Sequence, residues 1–186
     1  MTQAELLRHL VDVLESVGAD YMIGGSHAAM YYGEPRLTRD VDVIVALRAD
    51  DLPALLRGFP QEDYYVDDLA AREAVRTTTQ FNIIHPSSGL KIDVYVNPDT
   101  PYDRVRLARR QRLPLVPGRE AYFASPEDVI LYKLLYHRQV ESGMHVRDIL
   151  GIIRVSGAEL DERYIAYWAD RLGLSALWDR IRKQAG

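Results

Sequence analysis

Residues 41 to 47, Val-Asp-Val-Ile-Val-Ala-Leu, are apolar and largely β-branched except for one carboxylate, and a second carboxylate immediately precedes them. Such a run forms a buried strand. Alternate side chains of a strand share a face, so Asp40 and Asp42 point the same way at the head of an otherwise apolar element. Two neighbouring like charges repel, and in apolar surroundings the cost grows. This strand therefore has either water on its polar face or a cation.

A second run repeats the contradiction. Leu90 to Val96 is strand-like and holds a lone Asp93. If it neighbours the first strand, Asp93 joins Asp40 and Asp42. Hard carboxylate oxygens suit Mg²⁺, which often binds through a few carboxylates and substrate phosphates. Three carboxylates can hold two ions, one for a triphosphate and one to lower the pKa of an acceptor hydroxyl. Each acid also has a plain reading: Asp40 and Asp42 at a solvated strand edge, and Asp93 on an ordinary polar face alternating with Ile92 and Val94.

Upstream, Asp20 to Ile23 reads as a strand running into Gly24-Gly25-Ser26, followed by a short helix over His27 to Tyr32. Glycines let a backbone approach a ligand, and helix N-terminal amides bind phosphate. Ser26 would add a hydroxyl to a phosphate or serve as a helix cap; the glycines equally suit a tight turn.

The rest of the chain supplies the frame. Residues 2–17 carry apolar side chains at steps of three and four, an amphipathic helix rather than a signal peptide. Residues 50–57 and 67–75 read as short helices. Thr79 to His85 and Leu90 to Val96 form a hairpin across Pro86-Ser87-Ser88-Gly89. From Ser125-Pro126-Glu127-Asp128, a strong helix start, the pattern is helical over 126–141, 145–155, 161–172 and 174–184. The expectation is an α/β (α+β) fold, a mixed sheet flanked by helices. Residues 1–124 make the core, and residues 125–186 a helical lobe packed on it.

With 47% hydrophobic and 27% charged residues, the 186-residue chain is a globular protein with room for one sizeable core. It has no cysteine, which excludes disulfides and thiolate metal sites and fits a cytoplasmic location. No segment is apolar for long enough to suggest a membrane partner. A net charge of −4 argues against a general nucleic-acid coat. The dense basic run Arg104, Arg106, Arg109, Arg110, Arg112 reads as an RNA surface or as a helix face offset by acids.

Taken together, Gly24-Gly25-Ser26, then Arg36-Leu37-Thr38-Arg39-Asp40-Val41-Asp42, then Asp93 resemble the DNA polymerase β-type nucleotidyltransferase superfamily. The chain is most similar to small bacterial members, including AbiEii-type toxins of type IV toxin–antitoxin systems. The likeness covers residues 20–96 and extends loosely to Lys133 and Arg147-Asp148. It implies a nucleotidyltransferase that moves a nucleoside monophosphate from a nucleoside triphosphate such as ATP to a hydroxyl. It implies Asp40, Asp42 and Asp93 as catalytic, magnesium-binding residues, and Gly24, Gly25, Ser26, Arg36, Thr38, Lys133 and Asp148 at the nucleotide. It raises tRNA as acceptor and a cognate antitoxin as partner. A small-molecule transferase, such as one acting on an antibiotic, and an inactive binding module of a two-protein system stand as alternatives. In the family pattern an acid often follows the Arg-Asp pair by three residues; here that place is Gly151. Outside the resemblance, Arg36 and Thr38 read as loop residues, Lys133 as a snorkelling lysine, and Arg147-Asp148 as a surface ion pair.

Overall fold

The computed structural model describes residues 1–185. They form two compact units, one made of residues 1–24 and 38–123, the other of residues 25–37 and the chain from Ala124 on. Residues 25–37 thus group with the C-terminal helices, a grouping that a single division at residue 124 does not contain.

The first unit is a seven-stranded mixed sheet with helices. Helix α1 (Gln3–Ser16) begins in a reciprocal cap: Thr2 Oγ1 accepts from the Glu5 amide at 3.2 Å, and Glu5 accepts from the Thr2 amide at 2.7 Å. It buries Leu6, Leu7, Leu10, Val11, Val13 and Leu14. The strands are β1 (Asp20–Ile23), β2 (Asp40–Ala46), β3 (Tyr65–Val66), β4 (Gln80–His85), β5 (Leu90–Val96), β6 (Gln111–Val116) and β7 (Arg119–Phe123), in the order β3-β4-β5-β2-β1-β7-β6. β2 runs parallel to β5, and β1 parallel to β7; the other neighbours are antiparallel. The α/β class expected from the sequence is the one observed. Helices α3 (Leu52–Arg57), α4 (Asp68–Thr77) and α5 (Pro101–Ala108) connect strands.

The hairpin β6–β7 is absent from the sequence reading, which saw only a basic run there. β6 is the last strand of the sheet, where Pro114 forfeits no needed ladder bond. Its Arg, Pro and Leu content lacks the β-branched signature that betrayed β2.

The second unit is helical. It comprises α2 (Gly25–Tyr32), α6 (Pro126–Gln139), α7 (Gly143–Ser156), one 3-10 turn at Gly157–Glu159, α8 (Glu162–Arg171) and α9 (Ser175–Arg182). α6 is its centre, buried on Val129, Ile130, Leu131 and Leu134. The first-turn acids expected for this helix are internal ties as well as dipole partners. Glu127 accepts from the Asp161 amide at 3.0 Å, and Tyr164 donates to Asp128 at 2.7 Å. Among the described residues, no helix is long and apolar enough to cross a membrane.

Candidate active site

The sheet carries the three aspartates by register. Asp42 pairs with Asp93, and Asp40 with Lys91, across the parallel β2–β5 ladder. Paired residues share a face, so Asp40, Asp42, Lys91 and Asp93 project together. The other face of these strands, with Val41, Val43, Val45, Ile92, Val94 and Val96, is fully buried. The carboxylate face grades from an exposed Asp40 through a half-buried Asp42 to a buried Ile44. Asp93 is 8% exposed.

Lys91 stands among these acids, with Nζ 3.0 Å from Asp93 Oδ1 and 3.8 Å from Asp40 Oδ1. Burial opposes its charge, but contact with Asp93 and the fields of Asp93, Asp40 and Asp42 prevail and raise its pKa. The contact is an ion pair without good hydrogen-bond geometry, since Asp93 Oδ1 accepts no such bond. Among the described residues, no three His, Cys, Asp or Glu side chains are gathered closely enough to hold a metal ion together. In residue type and shared face the three carboxylates suit a hard divalent cation, although they do not converge as they stand and Lys91 Nζ occupies the place beside Asp93 Oδ1 that a cation would take.

The Gly-Gly-Ser turn is explained locally. The Gly24 amide donates to the Asp42 carbonyl at 2.9 Å, and a Cβ there would stand 2.7 Å from Ile44 Cδ1. Gly25 opens α2 with φ +52°, a left-handed conformation that favours glycine. Thr38 lies before β2, with its carbonyl accepting from Gln3 Nε2 at 3.1 Å.

In the helical unit, Ser26, Arg36, Lys133 and Asp148 form one cluster. Arg36 Nε donates to Asp148 Oδ1 at 3.0 Å and Nη2 to Oδ2 at 3.2 Å; Nη2 also donates to Ser26 Oγ. Lys133 Nζ donates to Asp148 Oδ2 at 2.6 Å. Burial would raise the Asp148 pKa, but hydrogen bonds and charge from Arg36 and Lys133 outweigh it and lower the value. Lys133 is therefore a buried partner and not a snorkelling lysine. Asp148 turns inward to these cations while Arg147 is exposed, so the surface-pair reading of Arg147-Asp148 fails. His27, next to Ser26, has its pKa pushed down to about 4, first by burial and then by the Arg36 charge.

Gly151 has a packing reason. A Cβ there would lie 3.3 Å from the Glu34 amide nitrogen, and one on Gly33 would lie 2.9 Å from the Ile152 amide nitrogen. Backbone meets backbone between α7 and the loop after α2, so any side chain at position 151 would press on the Glu34 backbone.

The arginine run of α5 and β6 is largely neutralised. Arg106 is buried on Asp103 at 2.7 Å, Arg110 pairs with Asp20 at 2.7 Å, and Arg112 with Glu120 at 3.1 Å. Two of the histidines serve structure: His9 stacks on Tyr64 and bonds the Gly58 carbonyl, and His85 bonds Ser88.

This sheet, with its helices and its paired strand aspartates, is the nucleotidyltransferase fold. No protein-family model and no curated protein sequence matches the chain. Solved structures do. A nucleotidyltransferase-like antigenic protein from Paracoccidioides brasiliensis matches with TM-score 0.58 and 25% identity, over 81% of this chain and 74% of that one. ANT(2'')-Ia in complex with adenylyl-2''-tobramycin matches with TM-score 0.64 and 16% identity, over 92% and 99%. The lincosamide adenylyltransferase LnuA, bound to lincomycin, matches with TM-score 0.55 and 14% identity, over 83% and 98%.

Proposed function

We propose that the chain transfers a nucleoside monophosphate from a nucleoside triphosphate to an acceptor hydroxyl. The observation that carries this reading is the register match of Asp42 with Asp93, with Asp40 on the same open face of a nucleotidyltransferase sheet. Asp40, Asp42 and Asp93 would hold Mg²⁺, which supplies charge neutralisation of the triphosphate and a more acidic acceptor hydroxyl. A new bond forms between the acceptor oxygen and the α-phosphorus as the bond to the β-phosphate bridge breaks and pyrophosphate leaves. The Asp93 carboxylate, released from Lys91, would accept a hydrogen bond from that hydroxyl, orient it and take up its proton as the new bond forms. In the helical unit, the reading gives Gly25 and Ser26 to phosphate oxygens; Arg36 and Lys133, both bonded to Asp148, would reach phosphate only by giving up that carboxylate.

The test is pyrophosphate release from each ribonucleoside triphosphate with Mg²⁺, with tRNA, tobramycin and lincomycin as acceptors. Wild-type release that is lost in Asp42→Asn supports the reading, and undiminished release in that variant sinks it. A toxin-like role, taken from the AbiEii resemblance, would appear as growth arrest on expression, relieved by the same substitution.

One observation favours a second reading, an inactive binding module: Lys91 already pairs with Asp93, where a metal ion would otherwise sit. Nucleotide-dependent thermal stabilisation without pyrophosphate release under any condition would select it.

A further inference from the structure

The chain has three lysines, at positions 91, 133 and 183, and two of them meet carboxylates in opposite ways. Lys133 is locked. Its side chain is 6% exposed, and Nζ donates to Asp148 Oδ2 at 2.6 Å. Lys91 is not. Its Nζ lies 3.0 Å from Asp93 Oδ1 and 3.8 Å from Asp40 Oδ1, and its side chain is 33% exposed. No directed hydrogen bond fixes it to Asp93 Oδ1. A point charge on a flexible four-carbon stem, held by attraction alone and open to solvent, can swing into water without disturbing the strand that carries it.

The position Lys91 holds is one that a metal ion needs. Asp93 Oδ1 is buried and accepts no hydrogen bond, so a positive ion is what satisfies it, and that ion is the ammonium. The same ammonium reaches Asp40 and lies in the field of Asp42. It thereby offsets the repulsion of three like charges on one face. A divalent cation would offset that repulsion more fully, but not beside Lys91. Both are positive, and both require Asp93 Oδ1. One has to leave before the other binds.

We propose that Lys91 is a tethered competitor of the metal ion: without metal its ammonium holds Asp93 and Asp40, and a divalent cation enters as that ammonium moves out to water. The inference rests on the transferase reading above and adds a control on the same site. Competition keeps the affinity for the bare ion low, so the ion is retained only when triphosphate oxygens join the carboxylates around it. Between nucleotides, the protein offsets its own acids with its own side chain and holds no idle metal.

Manganese is the probe. Electron paramagnetic resonance follows free Mn²⁺ as it is titrated into the full chain without nucleotide, in wild type, Lys91→Met, Lys91→Arg and Arg39→Gln. Lys91→Met should bind about tenfold tighter than wild type or more, the scale of one nearby charge removed. Lys91→Arg keeps the charge, and Arg39→Gln removes an exposed, screened one next to Asp40 in sequence; both should stay within about threefold of wild type. Equal affinity in wild type and Lys91→Met overturns the inference, as does equal tightening in Arg39→Gln or the absence of binding to every chain. Should Lys91→Met not fold, wild type labelled at lysine Cε gives a second readout. Saturating Mg²⁺ should move the Lys91 resonance towards that of the exposed Lys183 and leave that of Lys133 in place. A Lys91 resonance that stays where it was overturns the inference. Tighter Mn²⁺ binding by Lys91→Met without pyrophosphate release from any chain keeps the competitor and removes the transferase reading. Release by wild type with equal Mn²⁺ affinities keeps the transferase and removes the competitor.

Discussion

The protein handles charge in two opposite ways. On the sheet, Asp40, Asp42 and Asp93 share a face that water reaches, and one lysine offsets three acids. In the helical unit, Asp148 is buried between Arg36 and Lys133, and both its oxygens are used. The first arrangement leaves repulsion that a ligand relieves. The second closes on itself and is paid for by geometry alone. An open, imbalanced group is suited to exchange with solvent and ligand, whereas a closed one is suited to holding helices in place.

Substitutions break that contrast most sharply. Asp42→Asn and Asp93→Asn should lower pyrophosphate release by about a thousandfold or more, the scale of a lost electrostatic contributor. Their melting temperatures should stay near wild type because like-charge repulsion is relieved. Unfolding of either variant at wild-type assay temperature would mean that the sheet acids are structural. Asp148→Ala should do the reverse to the fold. Two buried cations lose their counter-ion, at a cost of about 3–5 kcal/mol, or on the order of 10 °C in melting temperature for a protein of this size. An unshifted Asp148→Ala melt would end the idea of a closed cluster.

Acid sharpens the same contrast. Asp148 has a lowered folded pKa, so its stabilisation is present above the usual carboxylate range and is lost as pH falls through the folded value. His27 acts earlier. Its folded pKa of about 4 lies below the ordinary 6.5, so the unfolded chain takes up the proton first. Stability should fall between those values by at most about 1.4 kcal/mol per pH unit. Urea melts from pH 7 to 4 should show this slope, and His27→Gln should flatten it. Gly33→Ala comes next, at about 1–3 kcal/mol for a methyl forced against backbone. Arg112→Ala, which removes an exposed pair with Glu120, should cost less than 1 kcal/mol in the same melts.

What could be read from sequence follows from where the physics is local. Asp40, Asp42 and Asp93 stood out because a carboxylate in a β-branched run is a contradiction visible within a few residues. The C-terminal helices were legible from Ser125-Pro126 and from periodicity, and the structure has them within a few residues at each end. The β2–β5 register was not legible, because parallel pairing of distant segments leaves no local mark. Nor was the bond of Arg36 to Asp148, which joins residues 112 apart. The β6–β7 hairpin hid behind arginines that the sequence presents as a charged run and the structure pairs with acids.

The buried side of β2 and β5 has a bearing on the exposed one. Val41, Val43 and Val45 face the interior opposite Ile92, Val94 and Val96. Because side chains alternate, sliding β5 by one residue would thrust Asp93 into that oily layer and expel valines into water. The aliphatic layer thus acts as a ratchet with one permitted notch, and that notch is the one that sets Asp93 beside Asp42. Alignment of the polar side is inherited from grease it never touches. A polar substitution such as Val94→Thr, one residue from Asp93 and pointing away from it, would loosen the notch and disturb the acids by an indirect route.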